Sequence, residues 1–302
     1  MNPFEPFLDA EDLTACVDAG ETTAAFDARA RPLACDFPLW LEPGQDFGEL
    51  FLGARATPRS FRYGFVGDNV LGLLWRLPNG TEIQLGGRVV KNVTGFDFIR
   101  FLSASQGRFG VPKRLILRLR PVAEDGLDLR LLGSWPGLNA LARIVRSSSW
   151  AHVLEICDLH AGPQSAEIHL RLRAKTTLLP PFQTQAKAWA DACGLSLSVY
   201  DAPPQAQARP WARAQARLDD CLDLGQEWLG RYGGRVHAFL GQGILHLQNP
   251  ASTQGAEQGL FELHERLGGQ GGHCEHPSLA PDPAAPQARW EAELLKRLED
   301  AA

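Results

Sequence analysis

The chain has 302 residues, 44% of them hydrophobic and 22% charged, with a formal net charge of −5. This composition is that of an ordinary globular protein of about two domains, and its acidic balance argues against a nucleic-acid partner or an anionic membrane surface. No apolar run reaches the ~20 residues that a transmembrane segment needs, and the start MNPFEPFLDAEDL lacks the basic and apolar parts of a signal peptide, so a cytoplasmic location is expected.

In chain order, DAEDLTACVDA ahead of Gly20 reads as a short acidic helix, and Pro38, Pro43, Gly44 and Gly48 predict a loop from Leu33 to Gly53. VLGLLWRL and TEIQL read as strands of a hairpin closed by Pro78-Asn79-Gly80, since Asn-Gly readily takes positive φ. Asp97 is a good N-cap for a helix running to about Gln106. Phe98, Ile99, Phe101 and Leu102 supply its apolar face, Phe96 and Phe101 are spaced as a hydrophobic staple, and Gly107 stands where a left-handed C-cap falls. In RLILRLR, Leu115, Leu117 and Leu119 alternate with Arg114, Arg118 and Arg120, which predicts a half-buried strand with a solvated arginine face, ended by Pro121.

Beyond about Glu124 the texture changes. LDLRLLGSW, HVLEICDL and SAEIHLRLR read as strands, PGLNALARIVRSS and FQTQAKAWADACG as helices. LSVY, a helix in ARPWARAQARLDDCLDLGQEWLGRY, strands RVHAFL and GILHLQN, and a helix from Gln254 to Leu267 follow. No sequence repeat is visible. The strand-helix-strand-strand-helix order, roughly repeated, nevertheless predicts an α+β, ferredoxin-like plait with helices on one face of an antiparallel sheet. SLAPDPAAPQ is a surface loop before a last helix in ARWEAELLKRLED. The expected domains are 1–122 and 123–302.

Six cysteines, Cys16, Cys35, Cys157, Cys193, Cys221 and Cys274, form no Cys-x-x-Cys pair, and most of them read as buried small apolar residues. GGHCEHP, with His273, Cys274 and His276, reads as an exposed polar loop, and no metal site is expected. RVHAFLGQGILHL reads as two strands around a glycine turn, with His237 and His246 incidental. No Ser-His-Asp or Cys-His set is legible, so the catalytic residues stay unassigned.

The stretch GGRVVKNVTGFDFIRFLSASQGRFG, from Gly86 to Gly110, raises a sharper question. Gly95 would let the backbone approach an anion at the helix N-terminus, where free N–H groups and the helix dipole favour negative charge. Lys91 and Thr94 would add a charge and a hydroxyl donor. A cap and turn without a ligand is the other reading, which local chemistry alone favours, because the spacing is neither that of a Rossmann fingerprint nor of a P-loop.

The wider context resembles the FAD-binding domain of the PCMH-type flavoproteins of the vanillyl-alcohol oxidase superfamily, and within it the FAD-binding subunit of bacterial glycolate oxidase. ATPRSFRYGFVGDNVLGL resembles that family's Gly-Pro-Arg-x-x-x-Tyr-Gly-x-x-x-Asp-x-Val-Leu-Gly segment. LPNGTEIQLGGRVVKNVTGFD resembles its Leu-Pro-Asp-Gly turn followed by Gly-Gly-x-Val-Val-Lys-Asn-Val-x-Gly-Tyr-Asp. LSASQGRFGV resembles Val-Gly-Ser-x-Gly-Thr-Leu-Gly-Val, and LRLRP the closing strand. These elements stand in register over about sixty residues, a specific match. The resemblance implies FAD contacts at Thr57, Asn92, Thr94, Gly95, Phe96, Asp97, Gly107, Gly110 and Val111.

Several positions depart from the family pattern. Nothing before Gly48 carries the Gly-x-Gly-Thr-like loop of the first FAD subdomain, and residues 1–47 are too few to build that subdomain, so a truncated FAD-binding domain is expected. Phe47-Gly48-Glu49 stands for Leu-Gly-Gly, which sets a carboxylate where backbone should meet a diphosphate. Arg108-Phe109 stands for Thr-Leu, and Phe96 for a tyrosine. The resemblance implies an FAD-linked oxidoreductase subunit that oxidises a small 2-hydroxy acid such as glycolate. It would work beside a complete flavoprotein subunit and an iron–sulfur subunit, with the flavin accepting a hydride. The departures imply the alternative of a non-catalytic structural or regulatory subunit that keeps the fold and has lost FAD.

Overall fold

The computed structural model describes residues 4–39, 44–53, 57–88, 97–103, 105–123, 125–200, 210–217, 219–269, 273–275 and 292–296. The chain divides into two compact units, one of Met1–Thr57, Tyr63–Val122 and Pro281–Ala302, the other of Pro58–Arg62 and Ala123–Ala280. Among the described residues no helix is long and apolar enough to cross a membrane.

In the first unit, β1 (Phe7–Asp9), β2 (Thr14–Asp18), α1 (Thr23–Ala30), β3 (Cys35–Asp36) and α2 (Phe47–Gly53) come first. The one-turn α3 (Ser60–Tyr63) marks where the chain leaves and re-enters the unit, and β4 (Val70–Arg76), β5 (Glu82–Gly86), α4 (Phe98–Leu102), β6 (Val111–Arg118) and β7 (Arg120–Pro121) follow. Five strands form an antiparallel sheet in the order β1-β2-β6-β4-β5, and β3 pairs with β7.

Three readings of the first unit are corrected. DAEDLTACVDA is a turn and a strand, not a helix: Leu13 takes φ 52° in the turn, and Ala15, Cys16 and Val17 are fully buried in β2. Three consecutive apolar residues do not tell strand from helix by period, and pairing with β6 from Thr14↔Arg118 to Asp18↔Arg114 decides it. The segment 33–53 is not all loop, because Phe47 of α2 makes edge-on contacts with Phe26 and Phe37 at 5.5 and 5.4 Å. The face of β6 that carries the arginines is not simply solvated. Ile116 on that face is fully buried with Phe4, Cys16 and Leu71, and the Arg114 guanidinium donates to Asp18 at 2.8 Å and to the Phe4 carbonyl at 2.6 Å. The hairpin stands as read: Leu77 N–H donates to Thr81 O at 2.9 Å, and Gly80 takes φ 88°.

The second unit runs β8 (Asp125–Leu132), α5 (Trp135–Ser147), β9 (Leu154–Ala161), β10 (Ala166–Ala174), α6 (Leu179–Cys193) and β11 (Ser196–Val199). It continues as β12 (Ala212–Gln215), α7 (Cys221–Tyr232), β13 (Arg235–Phe239), β14 (Ile244–Gln248), α8 (Thr253–Gly268) and β15 (His273–Glu275). The path βαββαβ thus occurs twice. Its strands lie as β11-β8-β10-β9 and β13-β14-β12-β15, joined through antiparallel β9–β13 pairing into one eight-stranded sheet. The repeat of topology follows the roughly repeated order of elements read from the sequence, although no residues repeat. Leu129, Leu131, Leu159, Ile168, Leu170, Val236, Ala238, Leu245 and Leu247 take one side of the sheet. They pack there with Leu138 and Leu141 of α5, Phe182 of α6, Trp228 of α7 and Leu260 of α8. The α+β architecture with helices on one face is as expected.

The predicted helix over ARPWARAQARLDDCLDLGQEWLGRY is only half helical. Ala212 and Ala214 point into the core from β12, which fills the slot between β14 and β15, and α7 begins at Cys221. GGHCEHP is not an exposed loop throughout: Cys274 is buried, its N–H donates to His264 Nδ1 at 3.2 Å, and Glu275 accepts from Arg213 at 2.6 Å.

The two-sided burial of β6 has a direct test. Ile116→Ala should lower stability by about 2–5 kcal/mol in urea unfolding of the full chain. A change within about 0.5 kcal/mol would show that face to be solvated after all.

Candidate functional site

In the first unit the glycine-rich segment is described at 86–88 and, but for 104, from Asp97 onward; Asn92, Thr94, Gly95 and Phe96, and with Phe96 the proposed staple, lie outside the described residues. Asp97 caps α4 as expected, its carboxylate accepting from Arg100 N–H at 3.1 Å. The helix is shorter than predicted. It ends at Leu102, with Ser103 extended at φ −62° and ψ 135°. Two contacts with α2 draw the chain away: Ser103 Oγ donates to Phe51 O at 3.4 Å and Gln106 N–H to Leu52 O at 3.1 Å. Gly107 is therefore not a helix C-cap but part of the turn that leads into β6, at φ 79°.

That turn is fastened to β4. Trp75 Nε1 donates to Phe109 O at 2.9 Å, and the Phe109 ring lies buried 5.1 Å from Phe101. The bulk that departs from the family pattern at Phe109 is thus taken up in the core. Gly110, at φ 114°, lies so close to β4 that a Cβ would come 2.1 Å from Arg76 O, whereas around Gly107, among the described residues, only Gly110 O comes within 4 Å, at 3.8 Å. Thr57 is buried at the end of the first segment of this unit, and Val111 is an exposed first residue of β6. Gly107, Gly110 and Val111 share one turn, Asp97 caps the helix before it, and Thr57 stands apart in the chain.

The second unit carries a feature that sequence reading passed over. On the sheet face opposite the helices, four adjacent strands each present a histidine: His169 on β10, His160 on β9, His237 on β13 and His246 on β14. The register sets His160 opposite His237, and His237 opposite His246. The rings of His169 and His160 stack at 4.4 Å, and those of His160 and His237 at 4.1 Å. His169 is held from both sides, by Glu167 Oε1 at 2.8 Å and Tyr200 Oη at 3.1 Å. His237 Nε2 lies 3.1 Å from Asp158 Oδ2, both side chains buried, while His237 Nδ1 has no hydrogen-bond partner among the described residues. Arg171 pairs with Asp128 and Arg130 with Glu167 farther along this face.

Burial governs the electrostatics here. It holds the His237 imidazole down to about 3, and it lowers His160 well below the usual histidine range, helped by the neighbouring His237 and His169. His169 is lowered by burial even beside Glu167. Burial pushes the Asp158 carboxyl well above the carboxylate range. At neutral pH the three stacked imidazoles are therefore uncharged, the form in which a ring nitrogen accepts a proton or ligates a metal. A readable signal existed in sequence: a histidine at the polar parity of each of four strands. Only two of the four, His237 and His246, were noticed there, as an incidental pair.

No protein-family model matches the chain. In sequence it is 33% identical over 137 residues to the glycolate oxidase subunit GlcD of Bacillus subtilis, covering 42% of this chain and 29% of that protein. It is 33% identical over 107 residues to the glycolate oxidase subunit GlcE of Escherichia coli, covering 35% and 30%. Over 120 residues it is 29% identical to a mitochondrial D-lactate dehydrogenase (cytochrome) of Arabidopsis thaliana, covering 40% and 21%. The matched part of the chain thus spans less than a third of each relative's length. Among solved structures, an alkyldihydroxyacetonephosphate synthase superposes with a TM-score of 0.67 at 10% identity, over 98% of this chain and 63% of that one, a likeness of fold. In fold the chain resembles the PCMH-type FAD-binding proteins, and in sequence it is similar to the FAD-linked glycolate oxidase and D-lactate dehydrogenase group.

Proposed function

We propose that the chain is an FAD-linked oxidoreductase subunit that oxidises a small 2-hydroxy acid, glycolate or a close relative. We further propose that it works in a complex with a complete flavoprotein subunit and an iron–sulfur subunit. The observation that carries this reading is the similarity to both GlcD and GlcE of glycolate oxidase and to D-lactate dehydrogenase.

The residues that would hold FAD are Thr57, Asn92, Thr94, Gly95, Phe96, Asp97, Gly107, Gly110 and Val111. The described ones divide by role. Among the described residues Gly107 has open space where a side chain would stand, which suits a backbone that must approach a dinucleotide. Gly110 is filled in by Arg76 and serves to hold the turn in place. Val111 offers an exposed apolar surface beside it. FAD, when bound, supplies the acceptor for the hydride that leaves the carbinol carbon. The chain's own part is to bind, orient and shield.

One observation favours a second reading, a subunit that keeps the fold without the cofactor. Glu49 is exposed in the first turn of α2, and Gly48 beside it is committed to Ala19, whose Cβ and carbonyl lie 3.2 and 3.3 Å from where its own Cβ would be.

The two readings separate on an absorbance spectrum. Purified full-length protein, alone or co-expressed with a complete flavoprotein subunit and an iron–sulfur subunit, should carry the visible bands of a flavin in this chain, release FAD on heating and be bleached by a 2-hydroxy acid. No flavin in this chain under either condition would overturn the first reading. The glycines give a second test. Gly110→Ala should cost about 3 kcal/mol or more in urea unfolding, since a positive φ and a backbone clash combine there. Gly107→Ala should cost only about 1–2 kcal/mol, yet weaken FAD binding about tenfold or more, measured by fluorescence titration.

A further inference from the structure

We propose that the segment Pro58–Arg62 is a clip that couples the two units, so that they fold and unfold in a single cooperative transition. The segment belongs to the second unit, while the residues on either side of it, Thr57 and Tyr63, belong to the first. Both ends are fixed there. Thr57 is buried, and Tyr63 packs against the core that holds Val66 and Leu73. The buried Asn69 side chain donates to Tyr63 O at 2.7 Å and to Phe65 O at 3.0 Å, and Asp68 Oδ2 accepts from Phe65 N–H at 2.8 Å. Because these anchors adjoin the segment directly, it has no slack.

The middle of the segment is held by the second unit at four points. Arg59 pairs with Glu155 at 3.3 Å, and Arg62 Nη1 donates to Val153 O at 3.2 Å. Ser60 O accepts from the Gln242 side chain, and Phe61 packs on Gly241. Two of these receiving positions are shaped for the segment rather than for their own elements. Glu155 is the extra residue of a β-bulge: Leu154 pairs with Leu172 and Ile156 with Arg171, which leaves no residue opposite it. The bulge lets Leu154 and Cys157 both face the core, and it turns Glu155, only 3% exposed, toward the arginine. At Gly241 a Cβ would come 2.7 Å from Phe61 Cδ2 and 3.1 Å from Phe61 Cα, so any side chain there would push the segment away. A chain with two compact units ordinarily unfolds in more than one step. Here, loss of structure in the first unit would release both ends of the segment, and ordering it again on the second would cost conformational entropy at every residue. Loss of structure in the second would strip Arg59 of Glu155 and Phe61 of its seat. The same linkage passes the stabilising effect of a ligand on the first unit to the second, whether or not that ligand is FAD.

Hydrogen exchange of the full chain across a urea series, read by mass spectrometry on peptides from β6 and β13, follows the two units separately. Both should lose protection at one urea midpoint. In Ile116→Ala, which alters only the first unit, β13 should lose protection together with β6 at the same lowered midpoint. That result is readable even if the variant does not fold, since β13 is then unprotected as well. Arg59→Met should lower the folding equilibrium constant about a hundredfold, and Arg59→Lys, which keeps the charge, by less. When Ile116→Ala is combined with Arg59→Met or with Gly241→Val, the two midpoints should part. Where a combined variant does not fold, Ile116→Ala alone decides. Separate midpoints in the unaltered protein, a β13 midpoint that does not move in Ile116→Ala, or midpoints that stay together in both folded combined variants would overturn the clip.

Discussion

The antiparallel pairing of β9 with β13 is the constraint on which the second unit depends. Each βαββαβ half could close its own four-stranded sheet, but Val236↔Ala161 through Phe239↔Asp158 joins them into one surface. Register does the rest. Side chains alternate with a period of two, so Leu159 and Ala238 face the helices while His160 and His237 face away. A slip by one residue would exchange those sets and drive imidazoles into the leucine core. The histidine row is thus a product of pairing, and it is as well specified as the core beneath it.

The first unit solves a different problem. A loop with several glycines would be expected to wander, yet the 105–110 turn is held by the Trp75 indole on one side and by contacts to the end of α2 on the other. Phe109 anchors it from beneath against Phe101. The glycines are then not equivalent. One allows two backbones to touch, while around the other no described atom but Gly110 O comes within 4 Å.

Much of this was legible where a local signal was sufficient. Asn79-Gly80 carries its hairpin, Asp97 its cap, and the period-two leucines of β6 and β10 their strands. What stayed hidden was decided at long range. ARPWARAQA is rich in good helix formers, yet part of it is a strand because a slot exists between β14 and β15. TACVD has no period to read, and its neighbours on both faces make it a central strand. Ser103 breaks α4 early because of partners some fifty residues back in the chain. His160 and His237 are separated by two helices, α6 and α7, and three strands, β10, β11 and β12, and nothing short of the fold could have set one upon the other.

The eight-stranded sheet closes at each side with very little: β11 has four residues and β15 three. Few unpaired amides and carbonyls are left there for a stray chain to grip, so templated stacking of copies into fibrils finds hardly any rail to start from. A broad arrangement of strands, ordinarily a hazard in concentrated solution, is in this way blunted at its two borders among the described residues.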